Sequence, residues 1–311
     1  MGVTMDRREF VHKAIGGGAL LGSSLLLGRY GTAFARSFRG KGEMPGLVAV
    51  KGGEPDQMFD RGMEALGGMS RFVRKGSKVL VKPNIGWDVS PDRGGNTQPA
   101  LVRRIIEHCM NAGAREVYVF DHTCENWNKC YTDSGIERAV SDAKGKLVSG
   151  DSEGYYQATQ VPRGKRLTQA KVHELLLGAD VFINVPVLKH HSSTKLTAGM
   201  KNLMGVVWDR EFWHRNDLHQ CIADMATYRK PDLTVVDAYY VMKRYGPRGV
   251  SPDDVVAMKS QLLSTDIVAA DAAGAKLWGI EPSEIPYIAM AAALGLGTSD
   301  LGALDIKRIK M

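Results

Sequence analysis

Six short apolar runs punctuate the chain: GLVAVK (46–51), KVLVKP (78–83), EVYVFD (116–121), DVFINVPV (180–187), LTVVDA (233–238) and QLLSTD (261–266). They are rich in β-branched residues and apolar almost throughout, the pattern of strands covered on both faces. Stretches with the helical period lie between them. QPALVRRIIEHCMNAGA puts apolar residues at 101, 102, 105, 106, 109 and 110, with Thr97 as N-cap, Pro99 in the first turn and Gly113 as the stop. DIVAADAAGAKLWGI and PSEIPYIAMAAALGLG predict two more helices. This alternation predicts an α/β fold, a largely parallel sheet with helices on both faces. Residues 122–170 are more polar and irregular, and read as an insertion, a lid or the start of a small second lobe.

The first 35 residues follow a different pattern. Arg7 and Arg8 precede Phe10, a glycine-rich apolar stretch runs from Ala14 to Gly28, and TAFA ends at Ala35. The apolar stretch is 15 residues long, short of the roughly 20 that span a bilayer. The paired arginines resemble a twin-arginine export signal, with Asp6 where Ser or Thr is usual, and TAFA resembles a cleavage site. An ordinary secretory signal or an uncleaved anchor are the alternatives. The resemblance implies the twin-arginine export machinery as a partner, an extracytoplasmic or periplasmic location, and no stable membrane span after cleavage. It leaves 36–311 as a single α/β domain.

Charge narrows the partner class. The whole chain carries a formal +7; the first 35 residues hold four basic and two acidic side chains, so +5 remains without them. The excess is spread along the chain and suits a small anionic ligand. No basic stripe with interleaved aromatics points to nucleic acid. The four cysteines, Cys109, Cys124, Cys130 and Cys221, form no CxxC and no cluster-binding run. Cys109 falls on the apolar side of a helical pattern, and Cys124 and Cys130 either pair or stay free.

Ligands of open α/β sheets sit outside the carboxyl ends of the strands. Polar residues gather there: Lys82 and Asn84, Asp121 and His122, Lys189 with His190 and His191, Asp237, then Thr265 and Asp266. The segment VLKHHSSTKLTAGMKNLMG (187–205) is the most cationic exit. His191 suits acid/base work, since an imidazole titrates near about 6.5. Lys201, flanked by Gly199 and Gly205, suits an anion anchor or a covalent attachment point. Lys82, Asn84, Lys189, Gly199 and Asn202 complete a substrate- or cofactor-binding set, and Asp121 and Asp237 either orient His191 or share a metal ion with His122. Helix N-termini after Thr97 and Thr265 offer free N–H groups to an anion. The structural alternatives are that His190 and His191 are solvated, that Lys201 and Asn202 cap a helix, and that Asp237 and Asp266 do the same. KRYGPRG (243–249) reads as a basic loop over the pocket.

Seven blocks occur in order: VLVKPNIG, the 96–121 strand and helix, GADVFINVPVLKHH, LTAGMKNLMG, KPDLTVVDA, Gly246–Pro247 and LLSTDIVAADAAGAKLWGI. Together they resemble the bacterial and archaeal family named domain of unknown function 362, over roughly Gly46 to Ile309. Some relatives carry a ferredoxin-like cysteine segment; this chain lacks one, and no protein-bound iron–sulfur cluster is expected. A more local similarity, His191 followed by Lys201 among glycines, resembles the nickel-pincer lactate racemases. There the lysine carries a pyridine-derived nucleotide cofactor and the histidine does acid/base work. Met200 departs from the glycine expected before the lysine, and no separate metal-binding histidine can be assigned. The resemblances imply an enzyme of racemase- or isomerase-like proton transfer on a small carboxylate or phosphate, with a metal ion or attached organic cofactor left open. A non-catalytic ligand-binding or cofactor-handling protein is the alternative.

Overall fold

The computed structural model describes residues 44–311, so the export-signal reading at Arg7, Arg8 and Ala35 lies outside the described residues. In chain order the elements begin with β1 (Leu47–Lys51), α1 (Pro55–Ala65), β2 (Lys78–Pro83), α2 (Pro99–Asn111) and β3 (Glu116–Val119). Next come α3 (Trp127–Asp133), α4 (Ile136–Asp142), β4 (Lys146–Leu147), β5 (Tyr156–Gln160), β6 (Gln169–His173), α5 (Glu174–Gly178) and β7 (Val181–Val185). A small hairpin, β8 (Lys189–His191) and β9 (Lys195–Thr197), leads into α6 (Gly199–Asn202), α7 (Glu211–Arg215) and α8 (Leu218–Tyr228). The chain closes with β10 (Leu233–Met242), β11 (Val255–Ser264), α9 (Ile267–Trp278), α10 (Pro286–Ala293) and β12 (Ile306–Lys310).

Eight strands form one sheet in the order β12-β1-β11-β10-β7-β2-β3-β4. All neighbours pair in parallel except β11, which is antiparallel to both β1 and β10. The period-2 alternation of a strand sorts its side chains between two cores. Val79 and Val81 of β2, with Val181 and Ile183 of β7, pack with Phe59 of α1 and Leu101 and Ile105 of α2. Leu80 and Phe182 turn to the opposite face, among Ile222 of α8, Val268 of α9 and Ile288 of α10. The fold is α/β, as the pattern of runs predicts.

Three local expectations change. Thr97 is not the N-cap of α2: Gln98 holds that place without a side-chain cap. The Thr97 hydroxyl instead donates to the Val185 carbonyl at 2.8 Å and accepts from the Asn84 N–H at 2.9 Å, tying the exits of β2 and β7 together. The last helical pattern is interrupted at Pro286, because the residue before a proline is driven out of the α region; Ile285 sits at φ −110°, ψ 98°. The polar stretch 122–170 partly belongs to the sheet, since β4 pairs in parallel with β3 at its edge.

Candidate functional site

The chain runs from β2 outward to β3 and β4, then returns to lay β7 against the other side of β2. Strand order therefore reverses between β2 and β7, and a crevice opens at the carboxyl ends of such a pair. A cavity of about 470 Å³ lies there. The β2 exit supplies Lys82, Asn84 and Trp87, the β3 exit Asp121, His122 and Cys124, and the β7 exit Lys189, His191, Thr197, Lys201 and Asn202. Arg210 and His214 approach from the chain before and within α7.

One set of these groups satisfies itself. The Lys82 ammonium meets Asp121 Oδ1 at 2.7 Å, the Pro83 carbonyl at 2.8 Å and Asn202 Oδ1 at 2.9 Å. A lysine has three donors, so Lys82 has none left. Asp121 Oδ2 accepts from the Ile85 N–H at 2.7 Å, and the Asn202 amide donates to Asn184 Oδ1 at 2.8 Å. Burial lowers the Lys82 pKa and the Asp121 charge opposes that shift. Lys189 donates to Asn84 Oδ1 at 2.8 Å and to the Gly95 carbonyl at 2.5 Å. Its burial without a carboxylate brings its pKa down to about 7.

A second set is left open toward the cavity. Lys201 is only 9% exposed, and its amine makes no hydrogen bond or ion pair to any described residue. Desolvation lowers its pKa to about 8, and the Arg210 and Lys82 charges push the same way. Thr197 is 4% exposed and its buried hydroxyl has no partner. His191 Nδ1 accepts from the Ser193 N–H at 3.1 Å, which places the proton of the neutral ring on Nε2. Desolvation, then the Lys201 and Lys189 charges, push the His191 pKa down to about 2. The ring is therefore neutral at about pH 7, held so by burial first and by the lysine charges second. Arg210 is aimed by the His122 and Thr123 carbonyls at 2.7 and 2.6 Å, and one of its nitrogens lies 3.5 Å from Cys124 Sγ.

The structure brings His191, Lys201, Lys82, Asn84, Asp121, Lys189, Asn202 and His122 to one cavity and leaves Gly199 and Asp237 out of it. Gly199 is a support: its N–H donates to Asp271 Oδ1 at 2.5 Å and its carbonyl accepts from Asn184. Asp237 orients no histidine. Its carboxylate accepts from the Gln98 N–H at 2.7 Å and the Tyr239 N–H at 3.0 Å, so it caps the start of α2. Asp266 does the same for α9 through Val268 and Ala269. The helix N-termini expected to hold an anion are thus already occupied by the chain's own carboxylates. His122, a candidate metal ligand from the sequence, bonds the Val207 carbonyl through Nδ1 at 2.9 Å and stacks its ring on Trp208. Among the described residues no group of three or more His, Cys, Asp or Glu side chains is placed to hold a metal ion. Cys124 and Cys130 are both free thiols. His190 accepts from the Gly246 N–H, which docks the basic loop at the cavity mouth, where Pro247 is part of the wall.

Sequence reasoning missed Thr197, Cys124 and Trp87 as cavity residues, whereas VVWDREFWHRND (206–217), which holds Arg210 and His214, reads as a stretch that could line a pocket wall. Thr197 and Trp87 follow strand exits by several residues, and Arg210 follows no strand. The run DREFWHR, charged and aromatic without a helical period, is the signal for Arg210 and His214.

The family model described as Domain of unknown function (DUF362) matches residues 79–276. A thylakoid-associated protein of Synechocystis sp. is 27% identical over 253 residues, covering 75% of this chain and 73% of that protein. Among solved structures, the lactate racemase apoprotein from Thermoanaerobacterium thermosaccharolyticum aligns with a TM-score of 0.47 at 12% identity, over 74% of this chain and 56% of that one. The chain spans little more than half the length of that structure.

Proposed function

The chain belongs to the DUF362 family, and we propose that it is an exported enzyme acting on a small carboxylate or phosphate held at the carboxyl ends of β7, β2 and β3. The Lys201 amine carries this reading: it is buried, faces the cavity and has no partner among the described residues. An unpaired buried ammonium costs several kcal/mol, and an anion in the cavity offsets that cost. Thr197 adds a hydroxyl donor, and Arg210 adds positive charge.

In this scheme the Lys82, Asp121 and Asn202 network holds the floor rigid, and Lys201 anchors the anion. His191 faces the anion with Nε2. Once a negative charge offsets Lys201 and Lys189, the imidazolium becomes accessible, so acid/base capacity follows binding. Proton transfer at the carbon beside a carboxylate is the reaction that this coupling serves best. The cavity's donors, mainly amines and amides, do not suit a metal ion. The same depressed His191 pKa favours a second reading, a non-catalytic ligand-binding protein using the same cleft.

Export rests on Arg7, Arg8 and the apolar stretch after them, and the thylakoid-associated relative is compatible with it. Among the described residues no helix is long and apolar enough to cross a membrane. Two measurements test the function. Calorimetry with acetate and inorganic phosphate should show binding to the wild type and at least about tenfold weaker binding to Lys201→Met. Incubating 2-hydroxy carboxylates in D₂O and following the α-proton by NMR should show exchange that His191→Gln abolishes. Binding without exchange selects the non-catalytic reading, and unchanged anion affinity in Lys201→Met removes the cleft altogether. Intact mass of protein purified from its native host reads any group attached to Lys201.

A further inference from the structure

We propose that Cys124 is a nucleophilic residue of the cleft, able to bond covalently to an electrophilic carbon carried by the bound anion. The proposal rests on the anion-cleft reading and adds to it a reactive group and a substrate class, small anions with an electrophilic carbon such as a carbonyl. Cys124 lies just beyond β3, lines the cavity and is solvent-accessible. The other three thiols are buried, and burial pushes Cys109 and Cys130 up to about 12 and Cys221 up to about 11. Those are inert, since the thiolate is the nucleophile.

Two features besides the thiol point to a ligand in this cavity. The Lys201 amine, in a residue 9% exposed, and the Thr197 hydroxyl, in one 4% exposed, line the same cavity without protein partners. Cys124 is held on the wall by the Gly86 carbonyl, which accepts from its N–H at 2.9 Å, and by the Arg210 guanidinium 3.5 Å from its sulfur. The anion's carboxylate or phosphate would sit on Lys201, with its remainder turned toward the sulfur. With a carbonyl, the sulfur lone pair forms the C–S bond and the carbonyl π pair moves onto oxygen. The thiol proton ends on that oxygen, and no other reactant is consumed.

Alkylation rates of Cys124 test this, with iodoacetate and neutral iodoacetamide compared and the label located by peptide mass spectrometry. In each case the sulfur pair displaces iodide and the thiol proton passes to solvent. A cleft of one charge sign raises local counter-ion concentration about 10- to 1000-fold. Iodoacetate should therefore label Cys124 at least about tenfold faster than iodoacetamide. Acetate or phosphate should protect the thiol, and Lys201→Met should remove the preference while circular dichroism reports an intact fold. Anion binding is measured separately by calorimetry on Cys124→Ser. If that variant binds anions but iodoacetate shows no preference and no protection in the wild type, the cysteine proposal is wrong and the cleft stands. If neither protein binds acetate or phosphate, the cleft reading fails and takes the proposal with it.

Discussion

Gly205 shows how little room the floor of the cleft leaves. A Cβ there would lie 1.8 Å from Asp121 Oδ1 and 2.6 Å from the Lys82 nitrogen. Gly205→Ala must therefore displace the buried ion pair as well as crowd it. Asp121→Asn tests the same pair without added bulk, by stranding the Lys82 ammonium in a site with no solvent contact. Asp121→Asn should lose about 3–5 kcal/mol in urea unfolding, the cost of breaking a buried pair by removing one partner, and Gly205→Ala should destabilise as well. A smaller loss in Asp121→Asn than in Lys82→Met would show that the carboxylate is not what holds Lys82 in place. His191 gives a prediction of the opposite kind. With its pKa pushed down to about 2, its ring resonances should not titrate between about pH 5 and pH 8 in free protein. Saturating phosphate should raise that pKa, because it offsets the two lysine charges that depress it; titration near about 6.5 without any anion would contradict the placement of the ring. Sequence could not separate these roles. Lys82, Lys189 and Lys201 all read as cations after apolar runs, yet only the three-dimensional count of acceptors shows that Lys82 is saturated and Lys201 is not.

At the scale of elements the strand exits were legible because parallel strands must put their carboxyl ends on one side. That rule alone groups Lys82, Asp121 and Lys189, and the order β7-β2-β3 then makes their exits adjacent. It says nothing of which exit residue turns to the crevice and which to the next helix. Asp121 and Asp237 each follow an apolar run, but α2 begins beside Asp237, whose carboxylate meets the Gln98 N–H. Asp266 is the plainer case, accepting from Val268, Ala269 and Thr298 N–H groups at 2.8, 2.9 and 2.8 Å. Asp266→Ala should cost about 1–2 kcal/mol of stability as a lost cap. It should leave anion affinity unchanged in calorimetry, since Asp266 is no part of the cavity wall. A large fall in affinity with this variant would mean that the start of α9 belongs to the site. Trp87 stayed illegible for a related reason: its loop has no periodicity, and only strand order brings it to the crevice.

For the whole molecule, the open cleft has a thermodynamic signature. Lys189 and Lys201 fold to pKa values of about 7 and about 8, below the ordinary 10.5. Between those values the unfolded chain holds more protons than the folded one, so stability rises with pH. Asp237 and Asp271 work in the other direction, with burial raising them to about 6 and about 7 from the ordinary 3.8. Their contribution is complete below 3.8 and is lost as pH rises through those values, so it adds little slope above about pH 7.5. The depressed His191 contributes fully above its ordinary 6.5 and loses that contribution only as pH falls. From about pH 7.5 to about pH 8 the buried amines therefore set the slope, with a limit of about 1.4 kcal/mol per pH unit for each; toward about pH 9 the buried Cys109, Cys130 and Cys221 thiols oppose it, because they ionise first in the unfolded chain. Urea unfolding across that window should show stability climbing in the absence of anions. Lys201→Met should reduce the slope, because one of the depressed amines is gone. Phosphate should flatten it in the wild type, because a bound anion keeps both amines protonated in the folded state. A slope unaffected by either change would mean that the amines already have counter-charges, and a cleft with its charges met has no demand for an anionic ligand.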